Sequence, residues 1–235
     1  MLVRPVTAID PPLPTQASPP TSVLLAGGTG LVGRALLPIL LDDGRRTVHL
    51  LLRRPAAEPL PAGARALVVD FAALPPLPSA DEACCALGTT LRQAGSKAAF
   101  RAVDHDAVLA FARAARAAGV RRLAVVSALG ADPASGSFYN RVKGETEQAL
   151  QQLGFESLVI ARPSLLDGQR SSLGQPARPA EALALAATRP IARWLPKAWR
   201  PITPRQVARA MVRALALARP GVTVLSSSDM QEEEP

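Results

Sequence analysis

The chain has few aromatic side chains, cysteines, histidines or lysines. Aromatics make up 3% of its 235 residues, and Tyr139 is the single tyrosine. A core must therefore be built from Ala, Leu and Val. The two cysteines, Cys84 and Cys85, are adjacent. Neighbours in an extended strand point to opposite faces and cannot easily be bridged, which excludes a disulfide framework and makes a reducing cytoplasm the default location. His49 and His105 stand alone, so zinc lacks a ligand set and no metal site is expected. No apolar run approaches the ~20 residues of a spanning helix. The Pro-rich first twenty residues have no apolar signal-peptide core, so no membrane association is expected.

What the chain does have is apolar residues and arginine. Its 48% hydrophobic fraction can fill a substantial core and excludes wholesale disorder. The net charge of +8 raises a polyanion as a partner. Its carriers are almost all arginines spread through turns and helix faces, with lysine only at 97, 143 and 197. There is no Lys-rich run and no aromatic interleaving, so a nucleic-acid surface is not supported.

Short apolar runs alternate with helical segments. Strands are expected at Ser22–Ala26, Thr47–Leu52, Ala64–Val69, Ala83–Leu87, Arg122–Ser127 and Ser157–Ala161, all of the buried type that a parallel sheet covered on both faces requires. Helices are expected from Gly30 to about Asp42, from about Ala99 to Ala118, from about Gly136 to Leu153, and from about Pro204 to Ala218. Gly44, Gly119 and Gly154 stand where these first three helices stop. The alternation indicates an α/β, Rossmann-type doubly wound parallel sheet. The expected organisation is a Pro-rich arm (1–20), a nucleotide-binding core (21–166), a small C-terminal helical substrate lobe on the same domain (167–228) and an acidic tail (229–235).

The first strand runs straight into Gly27-Gly28-Thr29-Gly30-Leu31-Val32-Gly33 and an apolar helix. Gly27, Gly30 and Gly33 form G-x-x-G-x-x-G. Such a turn needs one position free of Cβ where the chain reverses, one where backbone approaches a pyrophosphate, and one where helix packs on strand. The helix N-terminus then offers free N–H groups to the phosphates. At the end of the second strand, Arg53 and Arg54 stand where an acidic residue would accept the 2′-hydroxyl of NAD. Guanidinium groups suit a 2′-phosphate instead, so the cofactor expected is NADP(H). Asp70 and Phe71, after the third strand, are candidates to hold the adenine; a turn capped by Asp70 is the plainer alternative.

Ser127 falls at the carboxyl edge of the fifth strand, where ligands sit in open sheets. In the next helix Tyr139 and Lys143 are four apart and share a face. A nearby ammonium favours a phenolate, which makes Tyr139 a candidate general acid/base for a carbonyl or hydroxyl group, with Lys143 also able to hold the nicotinamide ribose.

Several stretches together carry a family resemblance: Gly27 to Gly33, Cys84-Cys85-Ala86-Leu87-Gly88-Thr89-Thr90, Ser127-Ala128-Leu129-Gly130-Ala131-Asp132, Tyr139-Asn140-Arg141-Val142-Lys143-Gly144-Glu145 and Arg162-Pro163-Ser164. With these, the chain resembles the atypical short-chain dehydrogenase/reductases, and within them the Tat-interacting-protein-like branch related to NAD(P)-dependent epimerase/dehydratases. The resemblance spans about Thr21 to Ala218. It implies NADPH binding, with Ser127, Tyr139 and Lys143 as catalytic residues. Leu87, Gly88 and Thr89 would line the cofactor, and Arg162, Pro163 and Ser164 would pass near the nicotinamide carboxamide. Two departures stand out. Relatives often have Ser-Ser where this chain has Ser127-Ala128, and the helical Asn that holds a relay water in other short-chain enzymes is Asp104 here, followed by His105.

The leading expectation is an NADPH-dependent oxidoreductase acting on a small carbonyl or hydroxyl compound. A non-catalytic NADPH-binding regulator is the alternative, and a nucleotide-sugar epimerase/dehydratase the second alternative. The partner expected is a small-molecule substrate, and a homodimer is left open. Trp194 and Trp199 are candidates to line a substrate pocket or to pack between helices. Cys84 and Cys85, weighed as redox sensors, read better as inert small hydrophobes of a buried strand.

Overall fold

The computed structural model describes residues 21–167 and 196–231. The expected arm at 1–20, the stretch 168–195 of the expected substrate lobe with Trp194, and residues 232–235 lie outside the described residues.

Thr21–Ala26 (β1) alternates its side chains between two cores: Leu24 and Ala26 face one, Val23 and Leu25 the other. A glycine turn leads to helix Leu31–Leu41 (α1), then to Arg46–Leu52 (β2) and Ala64–Val68 (β3). Glu82–Cys85 (β4) is followed by the short helices Leu91–Ala94 (α2) and Lys97–Arg101 (α3), a π-helical turn at Ala102–Ala107, and Val108–Ala117 (α4). Arg122–Val126 (β5), Phe138–Gln151 (α5) and Ser157–Arg162 (β6) come next, then Pro204–Leu217 (α6), Gly221–Ser226 (β7) and Ser227–Met230 (α7).

The strands form one seven-stranded sheet in the order β3-β2-β1-β4-β5-β6-β7, every neighbouring pair parallel. Helices cover both faces, so this is the doubly wound, Rossmann-like fold. One core packs Val108, Phe111, Ala115 and Leu150 on the sheet; the other packs Leu36 and Leu40 of α1 with Val207, Met211 and Leu215 of α6. The strand order reverses between β1 and β4, and ligands in such sheets bind outside the carboxyl ends at that point.

Four expectations need correction. Ala64–Val69 is not a buried-type strand: β3 is the sheet edge, half-exposed, with Val68 56% exposed. The expected helix from Ala99 to Ala118 begins at Lys97, behind a Ser96 cap, and is interrupted by the π turn. β7 went unforeseen because it too is an edge strand with little buried surface; Ala218 and Gly221, both at positive φ, end α6 and start it. Asp229 does not begin a free tail. It closes a capping box with Ser226 around the first turn of α7, and Met230 is buried in the core. No described helix is long and apolar enough to cross a membrane.

Candidate functional site

Gly27 turns the chain out of β1 at φ +81°, and a Cβ there would lie 2.4 Å from the Ala86 carbonyl beyond β4. A Cβ on Gly33 would meet the Gly27 carbonyl oxygen at 2.1 Å, so this glycine lets α1 sit directly on the turn. Gly30 caps α1 with extended backbone; no side chain caps the helix and no acidic residue stands in its first turn. Thr29 is exposed, Leu31 half-buried, and Val32 turns its side chain into the core, so Val32 offers the turn its backbone rather than its side chain. The cradle thus has the close backbone, the open helix end and the absence of anionic side chains that a pyrophosphate requires.

Arg53 and Arg54 follow β2 and are exposed, on the same side of the sheet as the glycine turn. Asp70 is exposed, and its Oδ1 accepts from the Ala72 amide at 2.9 Å, the plain turn-capping arrangement. Phe71 is buried in the core that also holds Ala26, Leu51 and Val69, so its ring is a packing group.

Tyr139, Val142, Lys143, Thr146, Glu147 and Leu150 follow one another at spacings of three, one, three, one and three along α5, the inward stripe of a helix. Tyr139 packs on Phe100, ring centroids 5.3 Å apart. Lys143 is 5% exposed, with its Nζ 2.8 Å from Asp104 Oδ1. Burial pulls the Lys143 pKa down, but the Asp104 carboxylate outweighs it, with help from Tyr139 and Cys85, and the ammonium is held above its ordinary value. Gly88 lies directly over this pair: a Cβ there would stand 3.4 Å from Asp104 Oδ1 and 3.8 Å from Lys143 Nζ. The other Asp104 oxygen accepts from the Thr89 amide at 2.8 Å, and Leu87 packs against the core just before it.

Asp104 sits in the π turn: its side chain, 1% exposed, reaches inward, and its carbonyl lies 3.0 Å from Thr146 Oγ1, a hydroxyl that stands closer, at 2.7 Å, to the Val142 carbonyl. His105, next along, pairs its Nδ1 with Asp106 Oδ1 at 2.7 Å, a local contact away from Lys143.

Ser127 lies just past β5 as expected, buried, but its hydroxyl donates to Glu147 Oε1. Arg162 grips the same carboxylate, its Nε donating to both oxygens at 3.0 and 3.2 Å. These bonds to Glu147 hold the Arg162 guanidinium above its ordinary pKa. Arg162 is therefore a partner of Glu147 before it is anything else. The Pro163 carbonyl accepts from the Leu129 amide, and Ser164 donates to the Arg200 carbonyl and accepts from Ser227, which turns it toward the C-terminal segment. Trp199 is exposed on a short turn.

The structure thus brings Ser127, Tyr139, Lys143 and Gly88 to one end of the sheet, and draws Phe71 and Ser164 into other contacts. Glu147 and the pairing role of Asp104 were missed. The signal was present: a carboxylate at the buried position four after Lys143 has no place in an apolar stripe unless it is paired. Cys84 and Cys85 point to opposite faces and are fully buried. Burial, with Glu82 adding to it, pushes the Cys84 thiol far up, and burial pushes Cys85 to about 12. Among the described residues no cluster of His, Cys, Asp and Glu could hold a metal.

Residues 27–218 match a family model described as NAD(P)H-binding. The chain is 38% identical over 175 residues to the protein fmp52, mitochondrial, of Emericella nidulans, covering 69% of this chain and 72% of that one. It is 36% identical over 170 residues to the protein HTATIP2 of Rattus norvegicus, covering 69% and 68%. Among solved structures, an oxidoreductase of the short-chain dehydrogenase/reductase family from Burkholderia thailandensis superposes with a TM-score of 0.65 at 20% identity, covering 92% of this chain and 94% of that one. The fungal name corrects the cytoplasmic expectation. That relative is a mitochondrial protein, and a chain without disulfides is suited to any reducing compartment, so its cysteines never singled out the cytoplasm.

Proposed function

The chain belongs to the NAD(P)H-binding family, on the atypical short-chain dehydrogenase/reductase branch that holds the fmp52 and HTATIP2 proteins, and from that premise we propose that it is an NADPH-dependent oxidoreductase of a small carbonyl or hydroxyl compound. The observation that carries the proposal is the position of Lys143 and Tyr139. The Lys143 ammonium lies under Gly88, at the sheet edge where the Gly27–Gly33 turn also opens, and Tyr139 is one helical turn before it.

The glycine turn and the first turn of α1 would hold the pyrophosphate, Arg53 and Arg54 the 2′-phosphate, and Leu87, Gly88 and Thr89 the passage toward the nicotinamide. When bound, the dinucleotide supplies or takes up hydride. Tyr139 Oη gives a proton to the substrate oxygen on reduction and recovers it on oxidation. Lys143 orients that phenol and favours its ionised form by charge. Ser127, which lines the same small cavity as Lys143, would fix the substrate oxygen once its hydroxyl turns from Glu147. The epimerase/dehydratase alternative finds little support in the two arginines after β2, since that chemistry retains NAD.

One observation favours a second reading, an NADPH-binding protein that turns over no substrate: the Ser127 hydroxyl donates its hydrogen bond to Glu147 and not to the open site. Turnover separates the two. NADPH oxidation at 340 nm is followed over a panel of small ketones and aldehydes. The enzyme reading expects a substrate whose turnover falls at least about a hundredfold in Tyr139→Phe while NADPH still binds. A panel with no turnover on a protein that binds NADPH tightly overturns it in favour of the second reading.

A further inference from the structure

Lys143 can ionise Tyr139 only to the extent that its own charge is left free, and in this chain the charge is met. Asp104 Oδ1 stands 2.8 Å away, both side chains are almost wholly buried, and the carboxylate is fixed from behind by the Thr89 amide and by the π turn that carries it. The other groups facing the pair are few. Tyr139 comes from α5 itself and Cys85 from β4. Glu147, one turn further along α5, lines the same small cavity with Ser127, but its charge is already matched by Arg162. Asp104 is thus the one unshared anion in contact with the ammonium among the described residues.

We propose that Asp104 is a positioning residue that sets how strongly Lys143 acts on Tyr139: by cancelling the ammonium in its buried ion pair, it holds the Tyr139 hydroxyl protonated until a bound ligand draws Lys143 away. This deepens the proposed function and rests on its pairing of Tyr139 with Lys143. The step is a proton equilibrium only. The phenol O–H breaks, the proton passes to solvent or substrate oxygen, and the phenolate is stabilised in proportion to the uncancelled charge at Lys143 Nζ.

The single tyrosine gives a direct readout without any substrate, because tyrosinate absorbance at 295 nm reports Tyr139 and nothing else. Wild type, Asp104→Asn and Lys143→Met are titrated, with far-UV circular dichroism on the same samples. In Asp104→Asn the midpoint is expected to fall on the order of one pH unit, since the change removes a carboxylate that opposes the phenolate and leaves the Lys143 ammonium uncancelled, and an uncancelled charge of opposite sign nearby lowers an acid's midpoint by about 1–3 units. In Lys143→Met it is expected to rise. A purely structural Asp104 would lower the melting temperature and leave the midpoint where it was, and that result overturns the inference. If Lys143→Met also leaves the midpoint unmoved, the Tyr139–Lys143 couple itself fails, and the proposed function falls with it. Should Asp104→Asn not fold, the double variant Asp104→Asn/Lys143→Met, which leaves neither charge alone, takes its place. A cancelled pair predicts a midpoint within about half a unit of wild type, and a rise of more than about one unit overturns the inference.

Discussion

Glu147 carries more of this site than its place in the sequence suggests. It is 3% exposed, accepts the Ser127 hydroxyl's hydrogen bond and holds Arg162 by two nitrogens. Removing one partner of a buried ion pair leaves the other desolvated and unmatched, at a cost of about 3–5 kcal/mol for a fully buried pair. The Arg162 side chain is 34% exposed and can turn toward water, which reduces that cost. Glu147→Ala is therefore expected to lose about 2–3 kcal/mol in urea unfolding; a loss below about 0.5 kcal/mol would mean the network is incidental. The cysteines make the opposite case. With Cys85 held at about 12 and Cys84 pushed beyond it, neither forms appreciable thiolate near neutrality. The folded protein should leave Ellman's reagent unreacted at pH 8, and both thiols should react once it is unfolded. Rapid labelling of the native chain would restore a redox role.

At the level of the elements, what could be read in advance was what announces itself locally. Runs of buried apolar residues marked β1, β2, β4, β5 and β6 to within a residue or two, and glycine and proline marked the helix ends. The edge strands were harder. β3 was placed but given the wrong burial, and β7 was passed over, because half of an edge strand faces water and its apolar pattern is diluted. The π turn left no local mark: nothing in Ala102–Ala107 sets it apart from an ordinary helical stretch. In the site, Tyr139 and Lys143 were legible from helical spacing. The partners Asp104 and Glu147 become legible only when the whole inward stripe of α5 and what faces it are read together. The position of that stripe depends on Gly144. A Cβ there would meet the backbone of Asp132 and Pro133 at 2.2 Å, so α5 lies directly on the loop after β5. Gly144→Ala must push the helix outward and is expected to destabilise by roughly 2–3 kcal/mol. At an ordinary exposed helix position the same change would stabilise, so a neutral or positive effect in thermal unfolding would contradict this packing. The capping box of Thr203 and Gln206 on α6 is a milder case, with Thr203→Ala expected to cost about 1 kcal/mol.

For the whole molecule, the excess of positive charge that raises the possibility of a polyanion finds its most specific use at one corner of the sheet. The parallel strands bring the carboxyl ends of β1, β2, β4 and β5 to one side, the glycine turn sits at the reversal between β1 and β4, and Arg53 and Arg54 stand beyond β2. The remaining arginines are scattered over turns, helices and strands, some of them in ion pairs, as Arg46 and Arg122 are with the buried Glu82 at the opposite end of the sheet. A general anion surface would bind NADPH and NADH alike in proportion to charge and lose both with salt. A site built for one dinucleotide separates them by the 2′-phosphate. The most direct test is a parallel fluorescence titration of the wild-type protein with NADPH and NADH, repeated on Arg53→Gln/Arg54→Gln. The expected result is saturable binding with NADPH preferred by about tenfold or more, the preference collapsing in the double variant while NADH affinity stays put, since one charge-assisted contact of about 1.5–3 kcal/mol already amounts to such a factor. A clear preference for NADH would contradict the role given to the two arginines, and no binding of either dinucleotide would contradict the cofactor site itself.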